Sequence, residues 1–292
     1  MRLCSYRDID EGERLGLIAD DRVLPATDLL RTAPRTIAQL LTASDAVMGS
    51  LAAAADPDRI RREGKLIAEM ELLAPVPRPG KVVAIGRNYR EHAAEEGIES
   101  PSAPLIFAKF SSSVIGPGAE IHWDARLTQQ VDYEAELAVV IRRRTRRVSI
   151  SEALDAVLGY TCLNDVSSRD LQYGDGQWTR GKSLDSFCPM GPAIVTADEL
   201  GSVGDLAIRC LVNGEERQSS RTSYLYFGIA EIISHCSQAF TLEPGDVIAT
   251  GTPGGVGHFR TPPVYLADGD EVVVEIERVG RLVNRCRVEA CP

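Results

Sequence analysis

The chain has 292 residues, 44% of them apolar and 25% charged, a balance that fits a soluble globular protein with one large domain and a small one. A formal net charge of −10 argues against nucleic acid and anionic membrane surfaces as partners. No apolar run approaches the ~20 residues of a membrane span, and the N-terminal MRLCSYRDIDEGE lacks a signal-peptide pattern.

Seven cysteines (Cys4, Cys162, Cys188, Cys210, Cys236, Cys286 and Cys291) form an odd set without CxxC spacing. Most fall in apolar segments, so they read as reduced, buried small residues, and the cytoplasm is the expected compartment. Residues 1–74 read as a small N-terminal α/β domain and 75–292 as the larger domain. In the first unit, RLCSYRD and RLGLIADDRVLPA suggest short strands, with Asp20–Asp21 as a turn. Helices are expected around Thr36 to Ala55 and from Asp58 to Glu71. APVPRPG, with three prolines and a glycine, marks the boundary.

KVVAIG then reads as a strand entering a helix in RNYREHAAEEG. His92 and Glu95 lie three apart there, so they share a face and can pair; the plainer reading is a solvated helix start. Gly86 stands alone, without the G-x-G-x-x-G that would bring backbone against a pyrophosphate. PLIFAKF is another strand, followed by a serine run and a Pro117–Gly118 turn.

The run VDYEAELAVVI, Val131 to Ile141, organises the rest. Its β-branched and aromatic content favours a strand, in which Glu134 and Glu136 point to one face. On a helix they would lie about 200° apart. The same face continues with Ala138 and Val140, and the other carries Tyr133, Ala135, Leu137, Val139 and Ile141. A strand apolar on both faces is a buried one, and two buried like charges are costly without a compensating cation. A metal site and a wet strand face both remain open from these residues alone.

RRRTRR after it reads as a solvated turn. Ser149-x-x-Glu152 suggests a capping box opening a helix through SEALDAVLGY. TCLN reads as a buried strand ending at Asp165, with Arg169 and Gln172 beyond it and Lys182 in a Gly/Pro-punctuated stretch. Asn213–Gly214 signals a hairpin. Ile229, Ile232, Ile233, Cys236 and Phe240 form one apolar helical face, leaving His235 at the surface. TPGGVG lacks the GK[ST] of a phosphate loop but can aim backbone N–H groups at a carboxylate. DEVVVEIE and RLVNRCRVE read as a closing hairpin.

Three carboxylates, Glu134, Glu136 and Asp165, are therefore candidates for one site. All-oxygen ligation suits Mg²⁺, Mn²⁺ or Ca²⁺ rather than Zn²⁺. With a His–Glu pair, a lysine, an arginine and a glutamine nearby in sequence, the inventory fits chemistry on a small anionic substrate.

The motifs GRNYREHAAEEG, VDYEAEL, NDVSSRDLQ, GKSLDSFCPMGP, NGEERQ and LEPGDVIATGTPGGVG, over roughly residues 80–257, together resemble the fumarylacetoacetate hydrolase family. The resemblance implies a β-rich α+β fold, a mixed β-sheet roll around one divalent metal (Mg²⁺ or Mn²⁺), in a homodimer. It places Glu134, Glu136 and Asp165 as metal ligands and His92–Glu95 as a dyad activating water. Arg169, Gln172 and Lys182 would bind substrate oxygens, Lys182 with a catalytic part, and Thr252 would touch the substrate's carboxylate end. Phe110 stands where relatives commonly show proline, and RRRTRR replaces a shorter turn. The expected substrate is a small 2-oxo acid. The expected reaction is hydrolysis of a C–C bond in a 2,4-dioxo acid of the acylpyruvate type, through an enolate held at the metal. Decarboxylation of an oxaloacetate-type acid and keto–enol or dienol isomerisation on the same metal are the alternatives, and a non-catalytic small-acid-binding protein is the alternative of another class.

Overall fold

A computed structural model describes residues 1–99 and 101–289, so Cys291 lies outside the described residues. The fold is α+β and strand-rich. In the larger sheet the strands run in the order Lys65–Leu66, Arg22–Pro25, Gly12–Ala19, Arg2–Asp8, Cys188–Thr196, Val157–Asn164, Ala135–Ile141, Val247–Ala249, Val82–Gly86 and Leu105–Lys109. Neighbours are antiparallel except Val247–Ala249 against Val82–Gly86. A second sheet runs Glu215–Arg221, Ala207–Val212, Glu271–Ile276, Gly280–Glu289 and Glu120–Asp124.

Strand Ala135–Ile141 lies inside the larger sheet, paired on both edges, every residue buried. Leu137, Val139 and Ile141 enter a core shared with Ile208, Val272 and Ile232. Ala138 and Val140 point the other way, into a core shared with Leu3, Leu15, Leu17 and Leu40. The two-residue pleat thus feeds two separate apolar clusters from one strand. The first 74 residues join the larger sheet directly, with Arg2 and Leu3 opposite Val195 and Ile194.

Several expected elements hold. The Asp20–Asp21 turn joins paired Ala19 and Arg22, and Asn213–Gly214, both at positive φ, joins paired Val212 and Glu215. The closing hairpin pairs Glu271–Ile276 with the strand from Gly280. Helix Ile229–Ala239 buries Ile229, Ile232, Ile233 and Cys236 and exposes His235. The six described cysteines are buried and unpaired in disulfides. Among the described residues no helix is long and apolar enough to cross a membrane.

Others are corrected. The helix expected through SEALDAVLGY is only a 3₁₀ turn, Ala153–Ala156, followed by strand Val157–Asn164. Ser149 and Glu152 do bond to each other, but Val157 onward pairs on both edges, with Ala135–Ile141 and Cys188–Thr196. Tertiary ladder bonds override the local cap signal. The helix expected over Asp58–Glu71 stops at Glu63, because Lys65 and Leu66 pair with Val23 and Arg22. That expected around Thr36–Ala55 is two helices, Ile37–Leu41 and Asp45–Ala54, the second capped by Ser44. RRRTRR is solvated only in part: Arg146 Nη1 bonds the carbonyls of Ser237 (2.5 Å) and Gln238 (2.6 Å), capping helix Ile229–Ala239 at its negative end. The backbone N–H of Phe110 donates to Ser183 Oγ at 3.1 Å, a bond that proline could not make.

Candidate active site and metal centre

The strand carrying the two glutamates is broken where the site needs it. Val131–Asp132 pairs with Ser167–Ser168, Tyr133 and Glu134 leave the ladder, and pairing resumes at Ala135. Glu134 and Glu136 therefore do not share a pleat face on one regular strand, as the spacing predicts. They converge because Glu134 is turned by its own backbone bonds: its N–H donates to Asn164 Oδ1 (2.9 Å) and its carbonyl accepts from Asp165 N–H (2.9 Å). One ligand atom from each of Glu134, Glu136 and Asp165 lies within 4.8 Å of the others, and all three residues are buried.

Cations crowd this cluster. Lys182 Nζ donates to Glu134 Oε2 and Asp165 Oδ2, each at 2.8 Å. Lys109 Nζ lies 2.6 Å from Asp165 Oδ1. Arg169 bonds Asp132 through Nε (2.9 Å), lies 2.7 Å from Glu134 Oε1 through Nη1, and donates to Gln172 Oε1 (3.0 Å). Burial works against the charge of Lys182, but Asp165 and Glu134 hold its ammonium above the usual lysine range. Burial likewise opposes ionisation of Glu134, yet Lys182, Arg169 and His92 hold it at about 2.

Glu136 is the exception. Its Oε2 accepts the Gly251 N–H at 2.7 Å, and among the described residues no cation stands at ion-pair distance from it. Burial and the charges of Asp165 and Glu134 push its carboxyl well above the usual range. Among the described residues, Arg169, Lys182 and Lys109 are the lysines and arginines at ion-pair distance from Asp132, Glu134 and Asp165, and none reaches Glu136, so one buried carboxylate is unmatched. An all-oxygen set of this spacing with a surplus negative charge fits one hard divalent cation.

Gly251 meets Glu136 from the Gly-rich turn at φ +108, and a Cβ there would lie 2.8 Å from Asn88 Cβ. Thr252 Oγ1 accepts from Gln218 Nε2 at 2.8 Å, and Gln218 Oε1 accepts the Ala135 N–H at 2.9 Å. Asn88 donates to Thr250 O (2.8 Å). Gln218 and Asn88 thus lock the turn onto the ligand strand and onto GRNY.

His92 is buried on the short helix Arg90–Glu95. Its Nδ1 is 3.4 Å from Glu95 Oε2, the pair that the spacing predicts. Its Nε2 is 3.3 Å from Glu96 Oε1, and Phe259 packs beside the ring at 5.9 Å. Glu95 Oε1 accepts the Gly255 N–H (2.7 Å), which joins the dyad to the Gly-rich turn. The solvated-helix reading of His92 is set aside by its burial.

Five residues escaped the sequence reading: Lys109, Asp132, Gln218, Asn88 and Glu96. Asp132 carried a signal, since it shares the two-residue spacing of Glu134 and Glu136. Its carboxylate takes the N–H groups of Gly257 (2.8 Å) and His258 (3.0 Å) besides Arg169. Glu96 also had one, lying four residues after His92.

The fumarylacetoacetate hydrolase C-terminal domain matches residues 81–287. The chain belongs to the fumarylacetoacetate hydrolase family. It is 48% identical over 220 residues to the oxaloacetate tautomerase FAHD2A, mitochondrial, of Bos taurus, covering 75% of this chain and 70% of that protein. It is 45% identical over 222 residues to the oxaloacetate tautomerase YisK of Bacillus subtilis (strain 168), covering 75% and 74%. Among solved structures, the fumarylacetoacetate hydrolase from psychrophilic Exiguobacterium antarcticum superposes with a TM-score of 0.83 at 38% identity, covering 99% of this chain and 100% of that one.

Within this family member the lone Gly86 has a packing role. A Cβ at Gly86 would stand 2.6 Å from Trp178 Cζ3, so only glycine lets the indole lie against the strand. Gly86→Ala is expected to cost roughly 1–3 kcal/mol of stability through this overlap, read by denaturant unfolding with an unchanged m-value.

Proposed function

We propose that this protein interconverts the enol and keto forms of a small 2-oxo diacid of the oxaloacetate type. The observation that carries the reading is a buried imidazole, His92, held at both nitrogens by carboxylates close to a carboxylate cluster suited to a divalent cation. A cation held by Glu134, Glu136 and Asp165, with Mg²⁺ or Mn²⁺ as the proposed ions, would polarise the 2-oxo acid's oxygens and stabilise the enolate. His92 supplies the proton traffic. In the enol-to-keto direction it gives a proton to carbon and regains one from the enol hydroxyl, so protons balance and no water is consumed. Glu95 on Nδ1 fixes the ring. Lys182, buried and cationic, pairs with Glu134 and Asp165, holds Glu134 ionised, and adds positive field where enolate charge grows. The two tautomerase relatives support this reading of the reaction.

Hydrolysis of an acylpyruvate C–C bond is the second reading, favoured by the superposition on a fumarylacetoacetate hydrolase. It needs His92 to activate water instead. Both are tested together with purified protein in Mg²⁺, by following the enol absorbance of freshly dissolved oxaloacetate, pyruvate release from it, and acylpyruvate cleavage. Accelerated loss of the enol signal without pyruvate is the expected result. Cleavage of acylpyruvates with no acceleration of enol loss would replace the first reading with the second.

A further inference from the structure

We propose that Glu96 is a positioning residue for His92, anchored from a separate segment of the chain by Arg87 and Trp178; the proposal rests on the reading of His92 as the proton carrier.

The contacts form one line. Glu96 Oε1 lies 3.3 Å from His92 Nε2, and Glu96 Oε2 accepts from Arg87 Nε at 2.9 Å. The Arg87 guanidinium stands 5.2 Å over the Trp178 ring. Trp178 packs edge-on to Phe107 at 5.4 Å, and its carbonyl accepts the N–H of Lys182, the lysine seated on Glu134 and Asp165. The helix that bears His92 is thereby tied to the segment that bears Lys182.

Two independent features show that this line is built. Arg87 adopts φ +58, a left-handed backbone that a non-glycine residue holds only when its surroundings impose it. Gly86 beside it is the residue that admits Trp178, as shown above. The Arg87 backbone and the room left by Gly86 together aim one guanidinium at Glu96, whose side chain is only 8% exposed.

The donor inventory gives the consequence. A neutral imidazole has one N–H, so carboxylates on both nitrogens leave one of them facing a lone pair unless the ring carries two protons. Glu95 and Glu96 are the charged groups at ion-pair distance from the ring, with Phe259 on its flank. Glu96 therefore holds the ring with a proton on Nε2, ready to be given to substrate carbon.

The test is long-range ¹H–¹⁵N spectroscopy of ¹⁵N-histidine-labelled protein at neutral pH, tractable with four histidines. A His92→Gln variant assigns the signal. Wild type is expected to show a proton on His92 Nε2, and Glu96→Gln to lose it and carry the proton on Nδ1. Arg87→Leu, which keeps Glu96 but frees it, should move the signal the same way, and Glu96→Asp should restore part of the wild-type pattern. In turnover, Glu96→Gln should lower kcat about tenfold with KM within about twofold. A His92 Nε2 without a proton in wild type, or a signal unmoved in both variants, overturns the proposal whatever the turnover. If the signal moves as expected while wild type shows no enol–keto turnover, Glu96 keeps its place and the reaction reading is the one that fails.

Discussion

Glu136→Gln is expected to abolish divalent-cation binding, and turnover with it, while leaving the fold intact. Glu134 and Asp165 are already neutralised by Lys182, Lys109 and Arg169. Glu136 supplies the charge that no side chain matches, so its loss removes the electrostatic reason for a dication to enter. The apo variant should be at least as stable as wild type, because a buried repulsion disappears. Wild type at a Mg²⁺ concentration 100 times its Kd gains about 2.7 kcal/mol by mass action. That gain corresponds to a melting shift of roughly 5 °C. Thermal melts with and without Mg²⁺ should show this shift in wild type and none in Glu136→Gln. Glu134→Gln should lose it too, and an unchanged affinity in both variants would remove the metal assignment. The pH dependence has a definite sign. Burial and the charges of Asp165 and Glu134 raise the Glu136 carboxyl in the apo protein, so a proton must leave before a cation enters. Affinity should fall with falling pH, about tenfold per unit below that raised value, and calorimetry in two buffers should detect the released proton.

His92→Ala is expected to lose about 10²–10⁴-fold in enol–keto turnover with the Mg²⁺-dependent melting shift retained. The imidazole touches Glu95 and Glu96 rather than standing among the three ligands, so its removal leaves the carboxylate cluster whole. Loss of turnover together with the melting shift would make His92 part of the metal centre. A loss under about threefold would make the pair a structural helix contact, since a working proton carrier is worth far more.

The parts of this architecture that are local in sequence were legible in advance. Asn213–Gly214 announces its hairpin because few residues tolerate two successive positive φ angles. The apolar content of Ala135 to Ile141 on both faces announces burial, and with it the cost of two carboxylates. What was not legible depends on partners far along the chain. Val157–Tyr160 has no local reason to be a strand; Thr196 and Val195, opposite Gly159 and Tyr160, make it one. Gln218 looks like an ordinary polar residue until the turn at Thr252–Pro253 accepts its amide. The break at Tyr133–Glu134 follows from Asn164, which no pattern in VDYEAEL reveals.

The pairing of Arg2 with Val195 sets a timetable for synthesis. One neighbour of strand Arg2–Asp8, Gly12–Ala19, is made directly after it, but the other, Cys188–Thr196, emerges about 190 residues later. At roughly 5–20 residues per second, the delay is on the order of 10–40 s. Throughout that interval the strand's outer edge and the apolar faces of Leu3, Leu15 and Leu17 have no mature core to enter. An edge left open that long is a template for wrong pairing, and slower translation between the two strands lengthens the exposure.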